Sequence, residues 1–342
     1  MIADVIAERL RAQLLSGPPA RDPVAVAERL LAVQAQDPRG ARLAIRARTS
    51  GLSAADVDRA LTADRTLLIT WLNRGTLHLV RSEDYPWLQA ITTPPLRTAN
   101  ARRLREEGVS AKAADRGVAE IERALSEEGP LTRAQLRERI DAAGVRTDGQ
   151  ALVHVLMLAC LRGLAIRGPM VGRQQAYALV RDWLGEPEPV DPDAALAELA
   201  RRYLGGHAPA GERDLAKWAG LPLRDVRAGL AAIAAELEDR GDGLLALRGG
   251  SAAAELPPPR LLGAFEPVLL GWASREPLVA RDEAIVVAGG IFRPFALVDG
   301  RAAATWNLRD GEVEIEPFGV LAHAHARALE DEAADVVRFL MA

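Results

Sequence analysis

The sequence predicts a mainly helical α+β fold built by repetition, and three observations carry that expectation. The order helix, turn, helix, turn, helix, hairpin occurs twice in succession, over residues 118–180 and 192–248. A looser copy of the same order occupies the N-terminus. After residue 250 the pattern changes: Pro257-Pro258-Pro259 leads into segments of strand character, and only the last twenty or so residues return to helical spacing. At roughly 100–200 residues per domain, 342 residues make more than one domain.

The elements follow in order. In the first clear copy, Val118–Leu125 is apolar at helical spacing and Gly129-Pro130 breaks it. Thr132 is placed to cap a second helix over Arg133–Ile140, which Gly144 ends. A longer helix spans about Asp148–Leu161, and two short strand-like pieces follow, Leu164–Arg167 and Gln175–Val180. In the second copy Ala194–Tyr203, Glu212–Trp218 and Leu223–Glu238 are the helices, and Leu244–Leu247 starts a strand. The N-terminal copy has helices near 2–15, 23–34 and 53–62, then Thr66–Leu72 and Thr76–Val80 as a hairpin. Three helices closed by a β-hairpin are a helix-turn-helix with a wing, the winged-helix arrangement. A plain helical bundle is the competing reading, and the hairpin after each third helix argues against it. Beyond residue 250, strands are expected over Arg260–Leu270, Ala284–Val287, Ile291–Val298, Arg301–Leu308 and Val313–Pro317, with Asp299-Gly300 as a hairpin turn and Leu321–Met341 as a closing helix. The expected domains are a first winged helix over 1–95, a second over 96–188, a third over 189–252, and a β-rich unit with the final helix over 253–342.

Composition narrows the function. Hydrophobic residues make up 49% of the chain, enough for packed cores, so wholesale disorder is excluded. The single cysteine, Cys160, excludes an internal disulfide and any CxxC site. The start MIADVIAERLRAQ lacks a basic segment followed by an unbroken apolar stretch. The longest apolar run, Ala151–Leu161, is interrupted by His154 and is too short to span a bilayer. A cytoplasmic protein with no membrane partner is expected. The net charge of -4 argues against a generally basic nucleic-acid coat protein. Locally the balance differs. Arg39, Arg42, Arg46 and Arg48 follow Asp37 with no acid before Asp56, and Arg162, Arg167, Arg173 and Arg181 lie in an acid-free stretch. These arginines are either local basic surfaces or ordinary solvated faces.

No metal site, P-loop, dinucleotide fingerprint or GxSxG elbow is present, and no cofactor is expected. His323 and His325, two apart on an acidic helix, are read as solvated surface. A Schiff-base nucleophile would have to be Lys112 or Lys217, and both lie in charged, exposed-looking helical sequence. Two segments stand out. In Val33-Gln34-Ala35-Gln36-Asp37-Pro38 the two glutamines would diverge by about 200° on a helix. If the helix ends here, as Pro38 suggests, both amides converge and can hold a water molecule without ionising. The second segment is Thr70–Val80, a hairpin with polar residues at its tip and His78 on the returning strand. By chemistry alone, an ordinary wing with a satisfied histidine is the better explanation.

Four blocks, LLAVQAQDPRGARLAIRAR, ITWLNRGTLHLV, LLGAFEPVLLGWASR and GGIFRPFALVDGRAAATW, resemble in content and order the AlkZ-like family of tandem winged-helix DNA glycosylases, which includes the azinomycin-resistance and AlkX-related proteins. The resemblance runs from about Leu10 to Phe318 and implies three winged helices in a C-shaped arrangement with a C-terminal β portion. It implies a catalytic element of glutamine, one residue, then glutamine or aspartate. Gln34 and Gln36 match the two-glutamine branch, and Asp37 lies one position too late for the other. A C-terminal hairpin that engages DNA is also implied. Ile291–Leu308, with Arg293, Arg301 and Trp306, matches it. Family members often carry Asp where this chain has Glu266, and Gly near Ala304.

The resulting expectation is a monofunctional glycosylase acting on N7-alkylated, bulky or crosslinked guanine in double-stranded DNA, as a monomer. Gln34 and Gln36 are the catalytic candidates. Arg39, Arg42, Arg74 and His78 join Arg293, Arg301 and Trp306 as DNA-contact candidates. The alternative from a different class is a winged-helix DNA binder or regulator without catalysis.

Overall fold

The computed structural model describes residues 2–172, 174–186, 188–250, 255–279, 282–287 and 290–341. Arg173 lies outside them. The fold is mixed α and β, and the chain divides into two compact units, Met1–Val57 with Leu196–Ala342, and Asp58–Ala195.

The unit of Asp58–Ala195 shows how the repeat is built. Helix Ala111–Glu128 starts at Ser110, whose hydroxyl accepts the Ala113 amide, and ends at Gly129. Thr132 caps the next helix, Arg133–Ala142, in a reciprocal capping box with Gln135. Helix Ala151–Leu161 is buried almost all round, which is why its sequence is apolar without a polar stripe. The hairpin of Ala165–Val171 and Gln174–Leu179 follows. Between the first two helices lies a short strand, Leu131–Thr132, that pairs antiparallel with the second hairpin strand, Leu131 opposite Tyr177. The strands of this unit follow one another in the order Thr76–Arg81, Leu67–Leu72, Ala165–Val171, Gln174–Leu179 and Leu131–Thr132. Two helices not expected from the sequence, Tyr85–Thr92 and Pro94–Glu106, connect the first hairpin to the repeat.

The same plan recurs over helices Pro192–His207, Glu212–Ala219 and Leu223–Ala232. Here a single bridge, Ala210 opposite Leu245, stands where the first copy has Leu131–Thr132. The third helix is shorter than expected. It stops at Ala232, and the chain re-forms as strand Leu237–Asp239, which pairs with Leu245–Leu247. Gly229 lets this helix lie on the backbone of Leu196, since a Cβ there would be 2.3 Å from the Leu196 carbonyl oxygen.

The N-terminal segment departs from the repeat. Helix Ile2–Ala12 is followed by Pro23–Leu30, Pro38–Arg46 and Ala54–Thr62, one helix more than expected. The extra helix was hidden because Arg42 and Arg46 belong to its buried face. The C-terminal β portion is a four-stranded antiparallel sheet in the order Glu312–Pro317, Arg301–Arg309, Phe295–Val298, Arg260–Leu262. Two expected strands are broken. Arg260–Leu270 is a strand to Leu262 and then a short helix, Pro267–Leu270. Ile291–Val298 splits at Arg293-Pro294, with Ile291–Phe292 pairing instead to Val286–Val287. Ala284–Val287 is likewise half helical turn, Asp282–Ile285. Asp299-Gly300 does form the hairpin turn, with both residues at positive φ. Helix His323–Met341 closes the chain.

Three of the four N-terminal arginines are buried. The Arg46 guanidinium donates to Leu261 O and Glu332 at 2.7 Å and to Asp335 at 2.9 Å. Arg48 and Glu266 form an ion pair at 2.5 Å with neither side chain exposed. Arg48 also donates to Gln13 O, Gln13 Oε1 and Ala44 O. Breaking this pair from one side leaves a buried charge unpaired, so Arg48→Met is expected to cost about 3–5 kcal/mol in urea denaturation. The double variant Arg48→Met/Glu266→Leu should recover most of that loss. A double variant as unstable as the single one would show that the pair is not an isolated electrostatic unit.

Candidate active site

The glutamine segment is set by how two helices end and begin. Helix Pro23–Leu30 starts at Asp22, whose carboxylate accepts the Ala25 amide at 2.7 Å. It ends four residues earlier than expected, because Leu31 turns to φ 63. That leaves Val33–Gln34 extended. The next helix, Pro38–Arg46, begins with Asp37 as its cap and Pro38 at its first position, where a missing N–H costs nothing. Gln34 and Gln36 therefore lie in non-helical backbone, and their side chains meet: Gln34 Nε2 donates to Gln36 Oε1 at 2.9 Å. Gln34 is 6% exposed and Gln36 is exposed, so the pair runs from the interior to the surface. This contact uses one hydrogen of Gln34 and one lone pair of Gln36, and it leaves the Gln36 NH2 unspent.

The other candidates divide. Arg39 is exposed on the first turn of Pro38–Arg46. Arg42, one turn on, is buried and donates to Pro38 O at 2.8 Å. Of these arginines only Arg39 is on the surface, as either reading of residues 39–48 would have it; Arg46 and Arg48 are engaged by Glu332, Asp335 and Glu266. Arg293 and Arg301 are exposed in the C-terminal β portion. Trp306 is not: it is 1% exposed and its Nε1 donates to Leu262 O at 2.9 Å. Trp306 closes a run of three consecutive buried residues, Ala304 to Trp306, in strand Arg301–Arg309, so the exposed candidates of that hairpin are its arginines and not this aromatic side chain.

Arg74 and His78 belong to the other unit. Arg74 sits half-buried in the turn joining Leu67–Leu72 to Thr76–Arg81, where Asn73 and Gly75 both take positive φ. His78 is 1% exposed, and its Nδ1 lies 2.9 Å from Thr76 O. Burial, with the nearby Arg74 charge adding to it, pushes the imidazole down to about 3. The ring is therefore neutral at physiological pH and packs in the interior. The satisfied core histidine, one of the two readings of the sequence, describes its surroundings.

Both lysines are exposed, and Lys217 donates to Ala273 O at 2.7 Å. Among the described residues no group of three or more His, Cys, Asp or Glu is placed to hold a metal ion. Among them, too, no helix is long and apolar enough to cross a membrane. Sequence reasoning missed Asp37 as a cap and Glu266 as the buried partner of Arg48. The signal for the cap was the Asp-Pro pair itself. No local signal joins Arg48 to an acid 218 residues away.

The DNA glycosylase AlkZ-like family model matches residues 27–339. The chain belongs to that family. Its members are hydrolases of N-glycosyl bonds in DNA, so the glutamine pair sits in an enzyme and not in a simple binding module. A curated relative from Streptomyces sahachiroi, an interstrand DNA cross-link repair glycosylase, is 31% identical over 98% of this chain and 95% of its own. The solved structure of Streptomyces sahachiroi DNA glycosylase AlkZ is similar with a TM-score of 0.80 and 27% identity, over 98% of this chain and 95% of that one.

The neutral His78 ring makes stability depend on acid. Below its ordinary value of 6.5 the unfolded chain takes up a proton that the folded protein refuses until about pH 3. The stability tied to the neutral ring is thus complete above pH 6.5 and is lost as pH falls toward 3. Between pH 7 and pH 5 the loss is about 2 kcal/mol. Urea denaturation at these two pH values should show this increment in wild-type protein and not in His78→Gln. An equal pH slope in both proteins would remove His78 as its source.

Proposed function

We propose that the chain is a monofunctional DNA glycosylase that releases N7-alkylated guanine, including bulky and crosslinked adducts, with Gln34 and Gln36 as its catalytic residues. The observation that carries this reading is the 2.9 Å contact that pairs the two amides at the surface end of a buried turn. The name of the Streptomyces sahachiroi relative, which specifies interstrand crosslinks, supports the substrate class.

The chemistry suits neutral groups. Alkylation at N7 makes guanine cationic, so the base leaves with the electron pair of the C1′–N9 bond and becomes neutral. No strong general acid is needed. What the site supplies is a positioned water, whose oxygen bonds to C1′ as its proton passes to solvent, and a polar surround for a sugar with oxocarbenium character. An amide carbonyl orients such a water, and an amide NH2 holds its oxygen. Both lysines are exposed and neither is a desolvated Schiff-base nucleophile, which supports a product that is an abasic site in an unbroken strand.

The scaffold in this reading is tandem winged helices, in the domain division given above. Both clear copies carry the required helix, strand or bridge, helix, helix, hairpin order. Arg39, Arg293 and Arg301 are the candidates with exposed side chains, and this reading assigns them to phosphate in a DNA-bound monomer.

The test is base release from duplex DNA carrying N7-methylguanine and from a nitrogen-mustard crosslink. Wild-type protein is expected to release modified base without strand cleavage, and Gln34→Ala/Gln36→Ala to lose at least about 100-fold in rate while still binding DNA. Undiminished release by the double variant would move the active site elsewhere. No release from either substrate by wild-type protein that binds DNA in a salt-dependent way would favour a non-catalytic binder.

A further inference from the structure

The turn that carries the glutamines is continuous with a helix the fold holds unusually firmly, and one side chain joins the two. Asp37 follows Gln36 directly. Its Oδ1 accepts the Arg39 amide at 2.8 Å and the Gly40 amide at 3.1 Å. Its backbone is extended at φ -101 and ψ 112, and its carbonyl takes the Ala41 amide at 3.0 Å, the first bond of the helix. Asp37 is the point at which helical backbone becomes the extended turn.

The helix it caps is fixed along its length. Gly40 lies so close to Ala264 that a Cβ would be 2.3 Å from that carbonyl oxygen. At the far end Arg46 is tied to Leu261, Glu332 and Asp335. On the other side of the cap, Gln36 Oε1 receives Gln34 Nε2. The path runs by hydrogen bonds from the anchored helix to the Asp37 carboxylate, and from Asp37 to Gln36 through the one peptide bond that joins them. An aspartate beside two glutamines invites a role as general base. Here its Oδ1 is engaged by two amides of its own helix, which is the geometry of a cap.

We infer that Asp37 is a positioning residue for the reaction at Gln34 and Gln36. Its side chain pins the first turn of Pro38–Arg46 and so fixes the Gln36 amide, and it takes no proton in the reaction. This rests on the glutamine pair being the reaction site. Nothing about the charge of Asp37 is then required, only an acceptor at the position of Oδ1. Asparagine and serine supply one, and alanine does not.

The experiment compares full-length wild type, Asp37→Asn, Asp37→Ser and Asp37→Ala. It measures kcat and KM for release of N7-methylguanine from duplex DNA between pH 5 and 9, and amide hydrogen exchange over residues 39–41. Asp37→Ala is expected to lose about 10–100-fold in kcat, as a displaced reacting group does, with KM changed less than about two-fold and exchange accelerated. Asp37→Asn should keep kcat within about three-fold, with an unchanged pH profile and native exchange, and Asp37→Ser should fall between the two. Two results overturn the inference. One is an Asp37→Asn as inactive as Asp37→Ala while its exchange stays native, which would place the carboxylate in the chemistry. The other is an Asp37→Ala with wild-type kcat. A wild-type protein that releases no base would overturn the glutamine reading and this inference with it, and exchange at residues 39–41 would still report whether Asp37 caps the helix, so the two failures read apart.

Discussion

The ion pair between Arg48 and Glu266 is the constraint around which the larger unit is organised. Neither side chain touches solvent. Arg48 leaves the helical N-terminal segment and Glu266 leaves the C-terminal β portion, at the start of helix Pro267–Leu270. A buried pair of this kind repays its desolvation only with good geometry, and it adds little to stability over an apolar core. What it enforces is register. A guanidinium that must meet Glu266, two oxygens of Gln13 and the Ala44 carbonyl has one position. Arg46 repeats the logic two residues earlier against Glu332, Asp335 and Leu261. Between these two arginines, the helix that follows the glutamines is located on the C-terminal portion to within hydrogen-bonding tolerance.

This changes the electrostatic account of an enzyme that acts on DNA. A chain with a net charge of -4 needs its positive groups concentrated where phosphates pass. The acid-free run from Arg39 to Arg48 has the composition of such a patch. In the fold it is mostly interior, and an arginine already bonded to a buried carboxylate releases no counterion when DNA arrives. The cations left exposed among the candidates, Arg39, Arg293 and Arg301, are few. The family relationship and the site geometry therefore locate function better than charge counting does.

Much of the fold was legible in the sequence, for identifiable reasons. The first clear repeat could be read because its signals are local, Thr132 at a helix start and Gly129 at a helix end, and the same holds for Asp299-Gly300 at the C-terminal hairpin turn. The errors arise where a long-range contact overrides a local signal. Pro38–Arg46 did not look like a buried helix because the partners of its arginines are hundreds of residues away. Trp306 was a DNA-contact candidate through the resemblance, which points to a hairpin and not to the face of each residue on it, and the side chain is sealed against Leu262. The strand expected over Ile291–Val298 broke at Pro294, where a ladder donor is missing. The glutamine pair was visible as a choice between divergence on a helix and convergence off it. Leu31, with its positive φ, decides for convergence, and nothing in that residue's type announces it.

The placement of the pair also bears on why amides are adequate here. A carboxylate between a buried Gln34 and an exposed Gln36 would pay for partial desolvation and would sit beside the positive end of the helix that begins at Pro38. That end would hold it as an anion and make it a poorer base. Amides carry no such charge, so their hydrogen-bonding capacity is the same across the pH range in which DNA is stable. The one carboxylate at this helix start, Asp37, has its Oδ1 turned to the backbone amides of the first turn, where negative charge is favoured. Charge is thereby kept on the scaffold side of the turn and neutrality on the side of the glutamines, which under the proposed function is the side that would meet a cationic leaving group.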